Sequence, residues 1–126
     1  MNSLAALHIL RSARSIGVVR TDRLGDMVCT LPLVQSLASE FPAARIHLIA
    51  RSYCEPLLRC TAVADAVHYV DQTPLETILR KENFDALFFP RPVFSEVLAA
   101  FRAGVALRVG SAYRWYSPMF NLRVHD

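Results

Sequence analysis

Lysine is nearly missing from this 126-residue sequence: thirteen of its fourteen basic residues are arginine, and Lys81 stands alone. Glycine is scarce, with four residues, and cysteine scarcer, with three. Cys29, Cys54 and Cys60 form an odd set without CxxC spacing, which argues against a disulfide scaffold or a zinc site and fits a reducing compartment. No window holds 18 uninterrupted apolar residues, so nothing reads as a membrane-spanning helix. GxGxxG, GK[ST] and GxSxG are all missing, which removes support for dinucleotide-binding, Walker-type and serine-hydrolase readings. His8, His47, His68 and His125 lack i,i+4 spacing and a nearby Cys or Asp cluster, so no metal ligand set is expected.

What is present is apolar. Hydrophobic residues make up 53% and mean hydropathy is +0.27, which excludes disorder. The length suits one domain or part of one. The net charge of +3 and a pI near 9.0 are compatible with an anionic partner and choose none. An Arg-dominated base set does offer planar donor forks suited to phosphates and carboxylates.

Residues 1–14 stand apart as an amphipathic helical extension, apolar from Leu4 to Leu10 and then basic at Arg11 and Arg14. The charge follows the apolar run, the reverse of a signal peptide. The acid-free, Ser- and Arg-containing composition has some transit-peptide character. A foot resting on an anionic inner leaflet is the functional alternative to a plain packing helix.

From residue 15 onward two patterns alternate. SIGVVR, RIHLIA, residues 66–70, DALFF and ALRVG read as five short buried strands. Between them, Met27, Leu31, Val34, Leu37 and Phe41 recur at helical spacing, with Pro32 expected to bend that helix or to mark a late start. Shorter helices are expected over 53–60, 74–82 and 93–102, the last presenting Val93, Val97, Leu98 and Phe101 on one face and stopping at Gly104. This alternation predicts an α/β fold: a Rossmann-like parallel sheet with helices on both faces. In such sheets ligands lie beyond the carboxyl ends of the strands, which selects the loops at 21–26, 51–52 and 90–92. Each carries an Arg at or near the strand end.

The loop after the first strand is the most informative segment. Gly25 would allow a tight turn or close backbone approach to a ligand, and the following helix N-terminus favours negative charge. Asp26 has two readings. As a cap it accepts backbone N–H groups at the helix start. As a general base it faces the cleft and takes a proton from an attacking hydroxyl.

RTDRLGDMVCTLPLVQSL resembles the opening loop of the lipopolysaccharide heptosyltransferases, glycosyltransferase family 9. Arg20 matches that family's basic strand end, Gly25-Asp26 its Gly-Asp pair, and Thr30-Leu31-Pro32 its helix segment. RVGSAYRWYSPMFNLRV is similar to the family's Arg–hydrophobic–Gly strand and the Arg-Trp-Tyr-Ser and Phe-Asn-x-Arg-Val stretch after it. Together the matches extend the resemblance over residues 15–126.

The resemblance implies part of a GT-B fold, in which two Rossmann-like domains face a cleft. Residues 15–126 would be the amino-terminal, acceptor-side domain, incomplete at its aromatic-rich end, and the carboxy-terminal donor domain would be absent. The implied activity is inverting transfer of a heptose, or another sugar, from a nucleotide-sugar to a lipopolysaccharide core acceptor in the bacterial cytoplasm, peripheral to the inner membrane. No cofactor or metal is implied; the donor, ADP-heptose in that family, would bind the other domain, and this chain alone would be inactive. Asp26 would be the catalytic base. Arg20, Arg23, Gly25 and Arg91 would bind substrate, Arg23 and Arg91 on strand-end geometry more than on a motif. The alternative is a non-catalytic α/β module for an anionic ligand, or a decayed remnant.

Seven further residues complete the expectations. Cys29 is expected to be a small buried hydrophobe. His47 and His68, alternating with strand apolars, are expected at an edge or partly buried. Tyr113, Trp115 and Tyr116 with Arg114 are expected to pack in the core or against another domain rather than stack nucleic-acid bases.

Overall fold

The computed structural model describes residues 1–125. Six strands form one sheet: β1 (Ser15–Val19), β2 (Arg45–Ala50), β3 (Ala66–Tyr69), β4 (Ala86–Phe88), β5 (Leu107–Ser111) and β6 (Leu122–Val124). Every pairing is parallel and the order is β3-β2-β1-β4-β5-β6. Five helices surround the sheet: α1 (Ser3–Ser12), α2 (Leu24–Glu40), α3 (Glu55–Thr61), α4 (Leu75–Glu82) and α5 (Phe94–Arg102).

The strand order reverses at β1, so right-handed crossovers put the helices leading from β1 to β3 on one face and those leading from β3 to β5 on the other. One core joins Ala6 and Leu10 of α1, Met27, Val34 and Leu37 of α2 and Leu58 of α3 to Ile16, Val18, Ile46, Leu48 and Leu107. The other joins Ile78 and Leu79 of α4, Val97 and Ala100 of α5, Tyr116 and Phe120 to Val19, Ile49 and Leu87. Both faces of the central strands are covered, which is why they read as unbroken apolar runs. The Rossmann-like α/β sheet with helices on both faces is therefore the fold.

Several expectations need correction. The sheet has a sixth strand: β6 pairs with β5 through Val109↔Leu122, Gly110↔Arg123 and Ser111↔Val124. Three residues after a turn of 3₁₀ helix at Ser117–Met119 carry too little period to announce a strand. α2 begins at Leu24, eight residues before Pro32, so Pro32 sits inside the helix and does not mark its start. The buried stripe of α2 is Met27, Thr30, Val34 and Leu37, which leaves Cys29 on the opposite side, free and exposed; Cys54 is the buried cysteine. In α5 the buried face is Val97, Ala99 and Ala100, small residues that let the helix approach the sheet, while Val93 and Phe101 are exposed. His47 is fully buried on the interior strand β2; His68 is half-buried on the edge strand β3. Of the late aromatics, Tyr116 and Phe120 are core residues, whereas Tyr113 and Trp115 are exposed.

The aromatic-rich end is clamped to the sheet. Asn121 Oδ1 accepts from the Arg108 N–H at 2.6 Å, and Asn121 Nδ2 donates to the Ala106 carbonyl. Arg108 donates to the Met119 and Val105 carbonyls at 2.6 Å each, with its guanidinium 5.2 Å from the centre of the Phe101 ring. Burial holds the Arg108 pKa below its ordinary value. Ser117 Oγ donates to the Ser111 carbonyl at 2.7 Å. The Phe120 ring lies across Gly110, where any Cβ would stand 2.2 Å from a ring carbon. The Arg–hydrophobic–Gly and Phe-Asn signatures are thus the parts of one brace.

Candidate functional site

The three strand-end loops selected from sequence meet in space. Arg20 follows β1 directly, and its N–H is held by the Ile49 carbonyl of β2 at 2.9 Å. Its side chain, 12% exposed, points along the loop rather than into solvent. Nε approaches Asp22 Oδ1 at 2.7 Å, and the second guanidinium arm reaches Asp26 Oδ1 at 3.2 Å. Arg91, from the loop after β4, comes to 3.6 Å of Asp22. Arg51, from the end of β2, donates through Nε to the Thr21 carbonyl at 2.9 Å. Thr21 Oγ1 in turn donates to Glu96 Oε2 at 2.6 Å, tying the loop to the first turn of α5. Tyr116 donates its hydroxyl to the Pro92 carbonyl at 3.1 Å, so the brace described above also steadies the Arg91 loop.

These carboxylates are not equivalent. Both Asp22 oxygens and Glu96 Oε1 are closed off from water. Burial raises the Glu96 pKa; the Thr21 hydrogen bond and Arg51 oppose that shift, and Asp22 adds to it. Asp26 differs: its side chain is 35% exposed and, among the described residues, its carboxylate pairs with Arg20. Asp22 and Glu96 are internal struts, and Asp26 is the more exposed carboxylate.

Asp26 is not the helix cap. Arg23 occupies the N-cap position without a side-chain bond to the helix, and Asp26 lies in the first turn, where the positive end of the helix dipole favours its charge. Gly25 sits beside it with no positive φ, so the tight-turn reason for a glycine falls away. A Cβ at Gly25 would meet nothing within 4 Å, leaving open space beside Asp26. Arg23 is exposed and makes no ion pair among the described residues. The sequence-selected set thus divides into Arg20, Asp26 and Arg91 around one loop, and Arg23 and Gly25 at its outer edge. Asp22, Thr21, Arg51 and Glu96 complete it. Glu96 was not legible as a site residue, since an acid in the first turn of an amphipathic helix is ordinary.

Next to this cluster, a cavity of about 270 Å³ opens at the ends of β4 and β5, lined by Leu33, Phe89, Pro90 and Ser111 among others. Asp26 does not line it. Among the described residues no helix is long and apolar enough to cross a membrane.

No protein-family profile matches the chain, and no curated protein matches it in sequence. Solved structures do match. A glycosyl transferase family 9 protein from Veillonella parvula aligns over 89% of this chain with a TM-score of 0.75 at 17% identity. The ADP-heptose lipopolysaccharide heptosyltransferase II of E. coli aligns over 89% with a TM-score of 0.74 at 24% identity. The chain has the fold of one part of a family 9 glycosyltransferase. E. coli heptosyltransferase WaaC with ADP matches too, over 88% of the chain at 16% identity and a TM-score of 0.69. The chain spans 36%, 35% and 40% of these three structures, well under half of each.

Proposed function

We propose that this chain is the acceptor-side portion of an inverting glycosyltransferase, taking a lipopolysaccharide core sugar as acceptor and ADP-heptose as donor at the inner face of the bacterial inner membrane. The observation that carries the reading is Asp26: a partly exposed carboxylate in the first turn of the helix after β1, 3.2 Å from Arg20, with Arg91 across the same loop. In this reading Asp26 takes the proton from an acceptor hydroxyl. The freed oxygen bonds to the anomeric carbon from the face opposite the diphosphate, the carbon–diphosphate bond breaks, and ADP leaves. Arg20 holds Asp26 in place, and Arg91 and Arg23 offer guanidinium groups to phosphate on the acceptor or the leaving diphosphate. The donor is assigned to a second domain facing the strand ends, and the 126 residues alone transfer no sugar. The exposed Leu4 side of α1 would give the peripheral membrane contact.

Two measurements test the reading. Core oligosaccharide titrated into the chain should bind, and Arg91→Ala should weaken it. With a family 9 donor domain fused after residue 126, Asp26→Asn should lower turnover by about 10²–10⁴-fold with binding kept. Oligosaccharide binding without any transfer by the fusion would favour the non-catalytic module, and a fully active Asp26→Asn fusion would remove Asp26 from the chemistry.

A further inference from the structure

The sheet brings together two imidazoles that are 21 residues apart in sequence. His47 Nδ1 and His68 Nε2 lie 2.9 Å apart, with the rings nearly parallel at 12°. His47 is 2% exposed, and Phe84 packs edge-on against it at 4.9 Å, fixing its ring. The Glu82 carboxylate joins them, and the three ligand atoms all fall within 4.8 Å of one another. None of these groups belongs to the strand-end cluster.

We propose that His47, His68 and Glu82 form a binding site for a divalent transition metal of the zinc class, which staples the edge strand β3 to β2 and to the end of α4. Two imidazoles and one carboxylate suit a borderline cation such as Zn²⁺, with water as fourth ligand. Zinc bonds of about 2.0–2.1 Å at tetrahedral angles place ligand atoms roughly 3.3 Å apart. The two nitrogens need to separate by a few tenths of an ångström; because 2.9 Å between nitrogens and 5.2 Å between ring centres set them pointing straight at one another, the rings must also turn by roughly 70° between them for both lone pairs to converge on the ion, a turn that falls mainly to the half-buried His68, while Glu82, with its long side chain at the close of α4, supplies the remaining movement. The ion replaces the proton that the two rings otherwise share. Glu82 closes α4, where the negative end of the helix dipole favours a cation. A cavity of about 200 Å³, lined by His68, Thr77, Lys81 and Glu82 among others, gives an entry path.

The surrounding charges are mixed: Glu82 and Asp65 attract a cation, while Arg45 and Lys81 oppose it.

The test uses the full chain with the exposed Cys29 and Cys60 replaced by Ser, stripped of metal, and titrated with Co²⁺ and Zn²⁺ at pH 7.5. The expected result is one saturable site per chain, Co²⁺ absorption bands of low-coordination geometry, and a melting temperature raised by about 5 °C or more at saturating Zn²⁺. Glu82→Gln and His68→Ala should each weaken binding by about tenfold or more. Glu82→Gln changes a carboxylate outside the core, so its apo melting temperature checks that the fold is kept. Absence of one-to-one binding up to about 1 mM Zn²⁺, or binding that both variants leave unchanged, would overturn the assignment.

Discussion

Gly110→Ala is the sharpest structural test of the brace behind the candidate site. A Cβ there would stand 2.2, 2.3 and 2.5 Å from three carbons of the Phe120 ring. Carbon atoms rest about 3.5 Å apart, so the ring must retreat by roughly an ångström. It has nowhere to go: Phe120 is almost fully buried, with Phe89 at 5.7 Å and Tyr116 at 6.4 Å between ring centres. If the core absorbs the strain, the cost is about 1–3 kcal/mol; if Phe120 is expelled, it approaches the ~3–5 kcal/mol of losing a buried Phe. Either is a large share of a total stability of about 5–15 kcal/mol. Urea unfolding followed by far-ultraviolet circular dichroism reads this directly, with Phe120→Leu and the double variant completing a cycle. Phe120→Leu shortens the obstructing side chain, so the two changes should couple by about 0.5–3 kcal/mol in the compensating direction. Strict additivity, or a Gly110→Ala cost under about 0.5 kcal/mol, would refute the close packing of that ring on the glycine.

Glu96→Gln tests the buried strut. Its folded pKa is raised above the ordinary 4.5, so its contribution to folding is fully present below pH 4.5 and is lost as pH rises through the folded value. The Gln variant still accepts from Thr21 and should gain in melting temperature over the wild type from pH 4 to pH 7. An equal difference at both pH values would contradict the burial argument. Asn121→Ala removes both its side-chain links, to Arg108 of β5 and to Ala106 just before it, and should cost about 1–3 kcal/mol in urea; a loss under about 0.5 kcal/mol would mean the brace holds without it. Gly17→Val places a branched side chain where even a Cβ meets Leu87 at 2.6 Å and Phe84 at 3.1 Å, and should lower stability by about 1–3 kcal/mol; an unchanged unfolding midpoint would disprove that contact.

Sequence alone determined the alternation of strands and helices, the doubly covered parallel sheet, and the position of Asp26 at the start of the helix after β1. Those features follow from local periods of 2 and 3.6 and from apolar runs, which a linear reading can see. It also pointed to the three loops that meet, because ligands in such sheets collect at the carboxyl strand ends. What only the tertiary structure decided was which side chains touch. Thr21 and Glu96 are 75 residues apart, Arg51 and Thr21 are 30 apart, and His47 and His68 are 21 apart. Parallel pairing places such residues side by side through crossovers whose length leaves no trace in spacing. The histidine pair is scattered in the sequence for that reason, and Cys29 lies out of helical phase with the Met27, Thr30, Val34 and Leu37 stripe, which puts it on the exposed side. Of the two roles open to Asp26 in the sequence, the cap falls away because the helix begins at Leu24, which leaves its carboxylate in the first turn, 3.2 Å from Arg20.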